Sequence, residues 1–201
     1  MSQLIISLSR EFGTGGHEIA ERLSKHYNLP IYDHNMLREI ANYMNVDANE
    51  LHEFDESKKQ KFFTRTVRGM SNCHATNVAE LQFKYIEAKA NMGESFVIVG
   101  RCSECVLKDN PNMVSFFILG DKDVKAERVM KLYDKNKKEA LSLMESHDKY
   151  RKQYHNDHFP GKKWGDSRNY HLSINSSKLG IDETVKLIIN YIDAYRARTD
   201  A

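Results

Sequence analysis

Apolar residues fall in short runs separated by longer stretches in which they recur every three to four positions. Leu4-Ile5-Ile6 with Leu8, Ile31-Tyr32, Phe96-Val97-Ile98-Val99 and Val114 to Leu119 are short enough for buried strands. Tyr170 to Ile174 alternates apolar with polar, as a strand with one covered face does. Between these runs the period changes to that of a helix. Ile19, Ala20 and Leu23 form one stripe, Met36, Leu37 and Ile40 a second, and Val78, Leu81, Tyr85, Ala88 and Met92, closed by Gly93, a third. Val129 and Leu132 mark a fourth helix, and Val185, Ile188, Ile189, Ile192 and Tyr195 the last. Strands alternating with helices predict an α/β fold with a parallel sheet of about five strands and right-handed crossovers. The unbroken run Phe96–Val99 suits a central strand covered on both faces.

Composition narrows this picture only a little. A chain of 201 residues, 40% hydrophobic and 29% charged, suits one α/β domain with a mobile insertion. The formal net charge of +2 gives no push towards nucleic acid, although basic residues cluster locally. The first apolar run is too short for a signal-peptide core, and no run approaches the length that spans a bilayer, so a cytoplasmic protein without a membrane partner is expected. Three cysteines argue against a disulfide framework. Cys102-Ser103-Glu104-Cys105 is a CxxC where a thioredoxin-type pair would sit, but nothing else in the chain supports that chemistry. A zinc site using Cys73 or His74 lacks a second ligand pair, and no metal ligand is assigned.

Candidate chemistry concentrates where the first strand breaks into Gly13-Thr14-Gly15-Gly16-His17-Glu18 and a helix begins. Glycines there allow positive φ and let main-chain N–H groups converge, and the helix start adds unpaired donors and a positive dipole end. That combination attracts phosphate. A plain tight turn is the competing reading. Laid on the phosphate-loop pattern GxxxxGK[S/T], the usual lysine falls on Gly16 and the usual Mg²⁺-binding hydroxyl on His17. Arg10, at the loop mouth, is the substitute cation, since a guanidinium grips phosphate oxygens in a fork.

Further along, Asp33 follows a strand directly and reads either as a helix cap or as an acceptor-side carboxylate. Arg65 and Arg68 lie in a polar stretch and are candidates for an acceptor's anion, against a plain solvated face. Arg101 closes a central strand, at a rim where arginine usually meets an anion. Asp121 and Asp123 can cap and charge the helix bearing Arg128. The charged, aromatic stretch 135–164, with Lys149 and Arg151, reads either as an exposed helical hairpin or as a segment closing over a transferring phosphoryl group.

Ser9-Arg10-Glu11-Phe12-Gly13-Thr14-Gly15-Gly16, Ile31-Tyr32-Asp33, Val97-Ile98-Val99-Gly100-Arg101, Asp148-Lys149-Tyr150-Arg151 and Trp164-Gly165-Asp166 to Ile174-Asn175-Ser176-Ser177 together resemble the cytidylate kinase-like family of nucleoside monophosphate kinases. The resemblance implies a P-loop NTPase-type sheet of five parallel strands, helices on both faces and a helical lid at roughly 134–165, with an acceptor-binding insertion at roughly 34–92. It implies ATP with Mg²⁺ as donor and CMP or dCMP as acceptor. By position, Gly13 to Glu18 would cradle the donor phosphates and Arg101 would lie on the acceptor side. Arg151 would reach the transferred phosphate from the lid, Arg128 would open towards it, and Asn175 and Ser176 would sit near the adenine. Arg10, Arg101 and Arg151 are then the catalytic candidates. The chain departs from the family pattern at Gly16, at His17, at Val99 where an acidic residue is usual, and at Met144 where a lid arginine is usual. Two other functions follow from those departures: a nucleotide-binding module without turnover, and a kinase for a non-nucleotide small molecule.

Overall fold

A computed structural model describes residues 2–33, 36, 39, 40, 66, 67, 70, 71 and 74–199. Arg65 and Arg68 lie outside the described residues. Strand β1 (Ile5–Arg10) leads through the glycine loop into helix α1 (Gly16–Tyr27). Asn28, in the left-handed conformation, ends α1, and β2 (Ile31–Tyr32) follows. A two-residue antiparallel pair, β3 (Thr66–Val67) and β4 (Met70–Ser71), precedes helix α2 (His74–Asn91). Then come β5 (Phe96–Val99), the short α3 (Ser103–Val106), β6 (Met113–Leu119) and α4 (Lys122–Tyr133). Helix α5 (Lys137–His158), β7 (Leu172–Asn175) and α6 (Ser176–Thr199), which kinks at Gly180, complete the chain.

The main sheet has the order β2-β5-β1-β6-β7 and every pairing in it is parallel. Side chains of β1 alternate between its two faces. Ile6 and Leu8 pack with Val97, Val99, Phe116 and Ile118 against Ile19 and Leu23 of α1 and Ile188 and Ile192 of α6. Ile5 joins Phe96, Ile98 and Met113 on the other face, against Ile86 of α2, Met36 and Ile40. A third, smaller cluster joins the loop to the two helices after β6: Phe12 with Ala126 and Val129 of α4 and Ala140 and Met144 of α5.

Two expectations about elements need correcting. The exposed helical hairpin read in 135–164 is instead one long helix, α5, packed beside α4. Asn136 and Glu139 form a capping box that starts it, with Asn136 Oδ1 accepting from Glu139 N (3.0 Å) and Glu139 Oε2 from Asn136 N (3.0 Å). Its charged stretch contains no glycine or proline to turn the chain until Pro160-Gly161. The stripe expected on α2 is rotated: Val78, Ala79, Gln82, Ile86 and Ala90 are buried, while Met92 is 64% exposed. Leu81 and Tyr85 flank the buried face instead of centring it.

Candidate active site

The carboxyl ends of β1, β2 and β5 converge, as ligand sites do in open parallel sheets. Gly13 (φ 84°) and Gly15 (φ 79°) both take left-handed backbone conformations, and Gly15 caps α1. A Cβ on Gly15 would overlap the Ile181 side chain and lie 3.3 Å from Arg128 Cζ, so only glycine makes this turn. One on Gly16 would stand 2.8 Å from Arg10 Cβ. The first-turn amides of α1 have no intrahelical carbonyl to meet, so the loop and helix start offer an anion nest.

Most side chains of the loop are engaged in holding its shape. Thr14 Oγ1 donates to the Glu11 carbonyl (2.9 Å), and Ser176 Oγ donates to the Thr14 carbonyl (2.9 Å). Asn175 donates from Nδ2 to Asp121 Oδ1 (2.8 Å). Asp121 stands at the start of α4, but its side chain makes no capping hydrogen bond and instead meets Asn175 and Lys178. Glu18 pairs with Arg128 and with Arg22 (2.7 Å), and Arg22 reaches Asp182. Arg128's hydrogen bond, more than any other cause, holds the Glu18 carboxyl below its ordinary range. Arg128 therefore ties α4 to the start of α1 and does not line the neighbouring cavity that holds Arg10.

That cavity, of about 520 Å³, is lined by Ser9, Arg10, Asp33, Val99, Gly100, Arg101 and Cys102, and by the α5 residues His147, Tyr150, Arg151, Tyr154 and His155, with Trp164. Three elements far apart in sequence thus bring Arg10, Arg101 and Arg151 together with Asp33. Gly100, Arg101 and Cys102 all have positive φ, so the chain turns sharply past the end of β5 and holds Arg101 at the rim. Strain of this kind clusters at functional sites. A Cβ on Gly100 would run into the Arg10 guanidinium.

Asp33 does more than a cap. Its backbone carbonyl accepts from Met36 N (3.0 Å), while Oδ2 lies 2.7 Å from His17 Nδ1 and Oδ1 lies 3.7 Å from Arg10 Nη2. Arg151 Nη1 donates to the Arg10 carbonyl (3.2 Å), and its guanidinium lies over the Phe12 ring, 5.5 Å from the centroid. Burial, then the nearby Arg151, pushes Arg10 down to about 9, with Asp33 opposing. Burial likewise lowers Arg151, against the opposing pull of Asp148. Cations held at their own cost in so small a space favour an incoming anion.

Several groups here carry no pattern by which a sequence reading would find them. Lys125, 10% exposed, lies with Nζ 2.7 Å from Glu11 Oε2 and 4.0 Å from Asp148 Oδ2, behind the loop that lacks its own lysine. Asp148 Oδ1 accepts from Phe12 N (2.7 Å), so α5 is docked on the loop, and burial pushes the Asp148 carboxyl above the usual range. His147 stacks on Phe12 with centroids 4.3 Å apart. Lys149, by contrast, is exposed and does not line the cavity. Cys102 and Cys105 are free and buried. Burial pushes the Cys105 thiol up to about 12 and that of Cys102 higher, which opposes the redox-pair alternative.

The chain matches the cytidylate kinase-like family over residues 5–178 and belongs to it. Among solved structures, an uncharacterized protein from Eubacterium ventriosum ATCC 27560 is 42% identical, with 95% of this chain and 99% of that one covered and a TM-score of 0.75. Shikimate kinase from Bacteroides thetaiotaomicron is 13% identical over 94% of this chain and 98% of that one, with a TM-score of 0.55. Shikimate kinase from Acinetobacter baumannii, in complex with shikimate, is 11% identical over 96% and 94%, with a TM-score of 0.53. These two share the P-loop kinase fold. No curated protein matches the chain. Family and fold together are those of kinase-type phosphotransferases. Among the described residues, no helix is long and apolar enough to cross a membrane.

Proposed function

Proceeding from membership of that family, we propose that the protein transfers a phosphoryl group from ATP to a nucleoside monophosphate of the CMP or dCMP kind. The observation that carries this reading is the convergence of Arg10, Arg101 and Arg151 with Asp33 in one cavity of about 520 Å³. That size lies within the roughly 300–1,000 Å³ usual for small-molecule sites. ATP with Mg²⁺ supplies the γ-phosphoryl group and the divalent charge that shields it. The left-handed turns at Gly13 and Gly15 and the start of α1 offer main-chain amides from Gly13 to Glu18 that suit its phosphates. Among the described residues Asp33 is the one carboxylate in the cavity lining and would be the group to hold the cation, since Mg²⁺ is usually held by one or two carboxylates and the substrate's phosphates.

The remaining work falls to the chain's own side chains. Phosphoryl transfer asks a protein chiefly for positioning and for positive charge on the equatorial oxygens. Arg10 and Arg151, coupled through the Arg10 carbonyl, supply that charge from the strand and lid sides, and Arg101 supplies it from the acceptor side. Tyr150, Tyr154, His147 and Trp164 give the cavity rings on which a base can stack. The docked α5 forms one wall of the site.

The test is phosphoryl transfer from ATP across a panel of nucleoside monophosphates and small hydroxyl acceptors, in wild type and Arg151→Met. Transfer to CMP or dCMP that falls by about 10³ or more in the variant is expected, the scale of a transition-state arginine. Transfer only to a non-nucleotide hydroxyl would replace the acceptor. No transfer to any acceptor, with ATP still raising the melting temperature, would overturn the kinase reading in favour of a binding module.

A further inference from the structure

Beside the arginine cavity, and sharing His155 with its lining, lies a second group of chemically active side chains to which the proposed transfer assigns no role. Glu104 and Cys105, on α3, meet His155, on α5, in the interior. The Glu104 and His155 side chains are 0% and 2% exposed, and Cys105 is buried as well. His155 Nε2 lies 2.8 Å from Glu104 Oε1 and 3.6 Å from Cys105 Sγ, and Sγ lies 3.8 Å from Glu104 Oε1.

These separations are close to those of a tetrahedral ion. With zinc-to-sulfur, zinc-to-nitrogen and zinc-to-oxygen bonds of about 2.3, 2.0 and 2.1 Å, sulfur sits about 3.6 Å from either other donor and nitrogen about 3.4 Å from oxygen. Both sulfur distances fit within about 0.2 Å. Only the Glu104–His155 hydrogen bond has to widen, by about 0.6 Å, and a cation that replaces the shared proton does that.

The outer contacts point the same way. Ser9 Oγ donates to Glu104 Oε2 (3.1 Å), leaving Oε1 turned towards the histidine and the sulfur. His155 Nδ1 faces Asn156 Oδ1 (3.4 Å), the partner that fixes a ligating histidine with Nε2 available. Tyr170 Oη donates to Glu104 Oε1 (3.2 Å) and so helps hold that oxygen in place. Charge also balances, because a thiolate and a carboxylate neutralise a divalent ion. Among the described residues, Glu104's hydrogen-bond partners are Ser9, Cys105, His155 and Tyr170, none of them a lysine or arginine, and the charge of Lys162 favours the Cys105 thiolate.

We propose that Cys105, His155 and Glu104 bind a zinc-class divalent ion that pins the lid helix α5 to α3 beneath the active site. Sulfur and nitrogen donors select such an ion over Mg²⁺. The site is separate from the transfer chemistry and stands whether or not the kinase reading does.

Titration of the metal-stripped full-length protein with Co²⁺ tests it. We expect one equivalent to give the visible bands of tetrahedral cobalt and a near-ultraviolet thiolate-to-cobalt band, displaced by Zn²⁺ and untouched by excess Mg²⁺. The thiolate band should vanish in Cys105→Ser and persist in Cys102→Ser and Cys73→Ser. Cobalt affinity should fall at least tenfold in His155→Gln. Zn²⁺ should raise the melting temperature of the wild type and leave that of His155→Gln unchanged. Absence of the thiolate band in the wild type overturns the site, and this result needs no variant to fold. So does a band that survives Cys105→Ser.

Discussion

At the residue scale the site is governed by the cost of holding guanidinium groups close together and out of water. Arg10 is pushed down to about 9, because burial and Arg151 disfavour its charge more than Asp33 restores it. A bound phosphate favours the charged form, so binding above that pH must take up a proton. The sign follows: below about 9 Arg10 is charged with or without ligand and affinity is flat, whereas as pH rises through 9 the free protein loses the proton and affinity falls. Calorimetric titration with CMP from neutral pH to about 10 should show that decline, and Arg10→Met should bind weakly at every pH with no break near 9. The three arginines were legible in the sequence because each follows a strand end or sits on a charged, lid-like stretch. Lys125, the docking contact of Asp148 and the Glu104–Cys105–His155 group were not. Lys125 reads as an ordinary helix charge, and Asp148 as one member of the Asp148–Arg151 stretch whose contact with Phe12 N is not foretold, until α4 and α5 fold onto the loop, and His155 lies on a different helix from its two partners. Their meaning is set by tertiary contact, which no periodicity encodes.

At the element scale, the strands were readable because a parallel sheet covered on both faces demands unbroken apolar runs, and β5 and β6 supply them. Helix faces were less so. On α2 two overlapping apolar stripes compete, and the packing of Ile86 and Ala90 against Phe96 and Ile98 selects the one that leaves Met92 in solvent. Helix α5 shows a different limit: its charge hides a narrow buried face of Ala140, Met144 and His155. Met144 packs with Phe12 in the small third core. That core is what holds the lid helix against the loop, so its anchor can be tested. Phe12, 8% exposed, stacks on His147 and carries Arg151 over its ring. Phe12→Ala should cost about 3 kcal/mol in denaturant unfolding. It should also speed amide hydrogen exchange along α5 while leaving β1, β5 and β6 protected. Uniform loss of protection throughout the sheet would show that α5 is no separate unit.

At the scale of the whole molecule, the glycine loop and the cavity of Arg10, Arg101 and Arg151 lie on one rim of the sheet, and α5 packs over both. Strand β1 lies at the centre of the sheet, so the loop that follows it borders both halves: β5 and β2 bring Arg101 and Asp33 from one side, and β6 leads into α4 with Lys125 from the other. Helix α5 touches the loop itself, through Phe12 N and the Arg10 carbonyl, and lines the acceptor cavity with Arg151, Tyr150 and Tyr154. A ligand on either side therefore favours the same docked position of α5, and two ligands that favour one conformation must favour each other. The expected result is positive coupling between a non-hydrolysable ATP analogue and CMP. Each alone, at about a hundred times its dissociation constant, adds about 2.7 kcal/mol of stability, or roughly 5–10 °C in melting temperature for a protein of this size. Calorimetric titration with CMP in the presence of the analogue should then give an affinity about 5-fold or more above that of the free protein, a coupling of at least about 1 kcal/mol. Arg151 is the α5 residue that joins the loop and the cavity, so Arg151→Met should keep both ligands and lose the coupling between them. Identical CMP affinity with and without the analogue in the wild type would mean that α5 does not link the two sides, and Arg151 would then serve the acceptor alone.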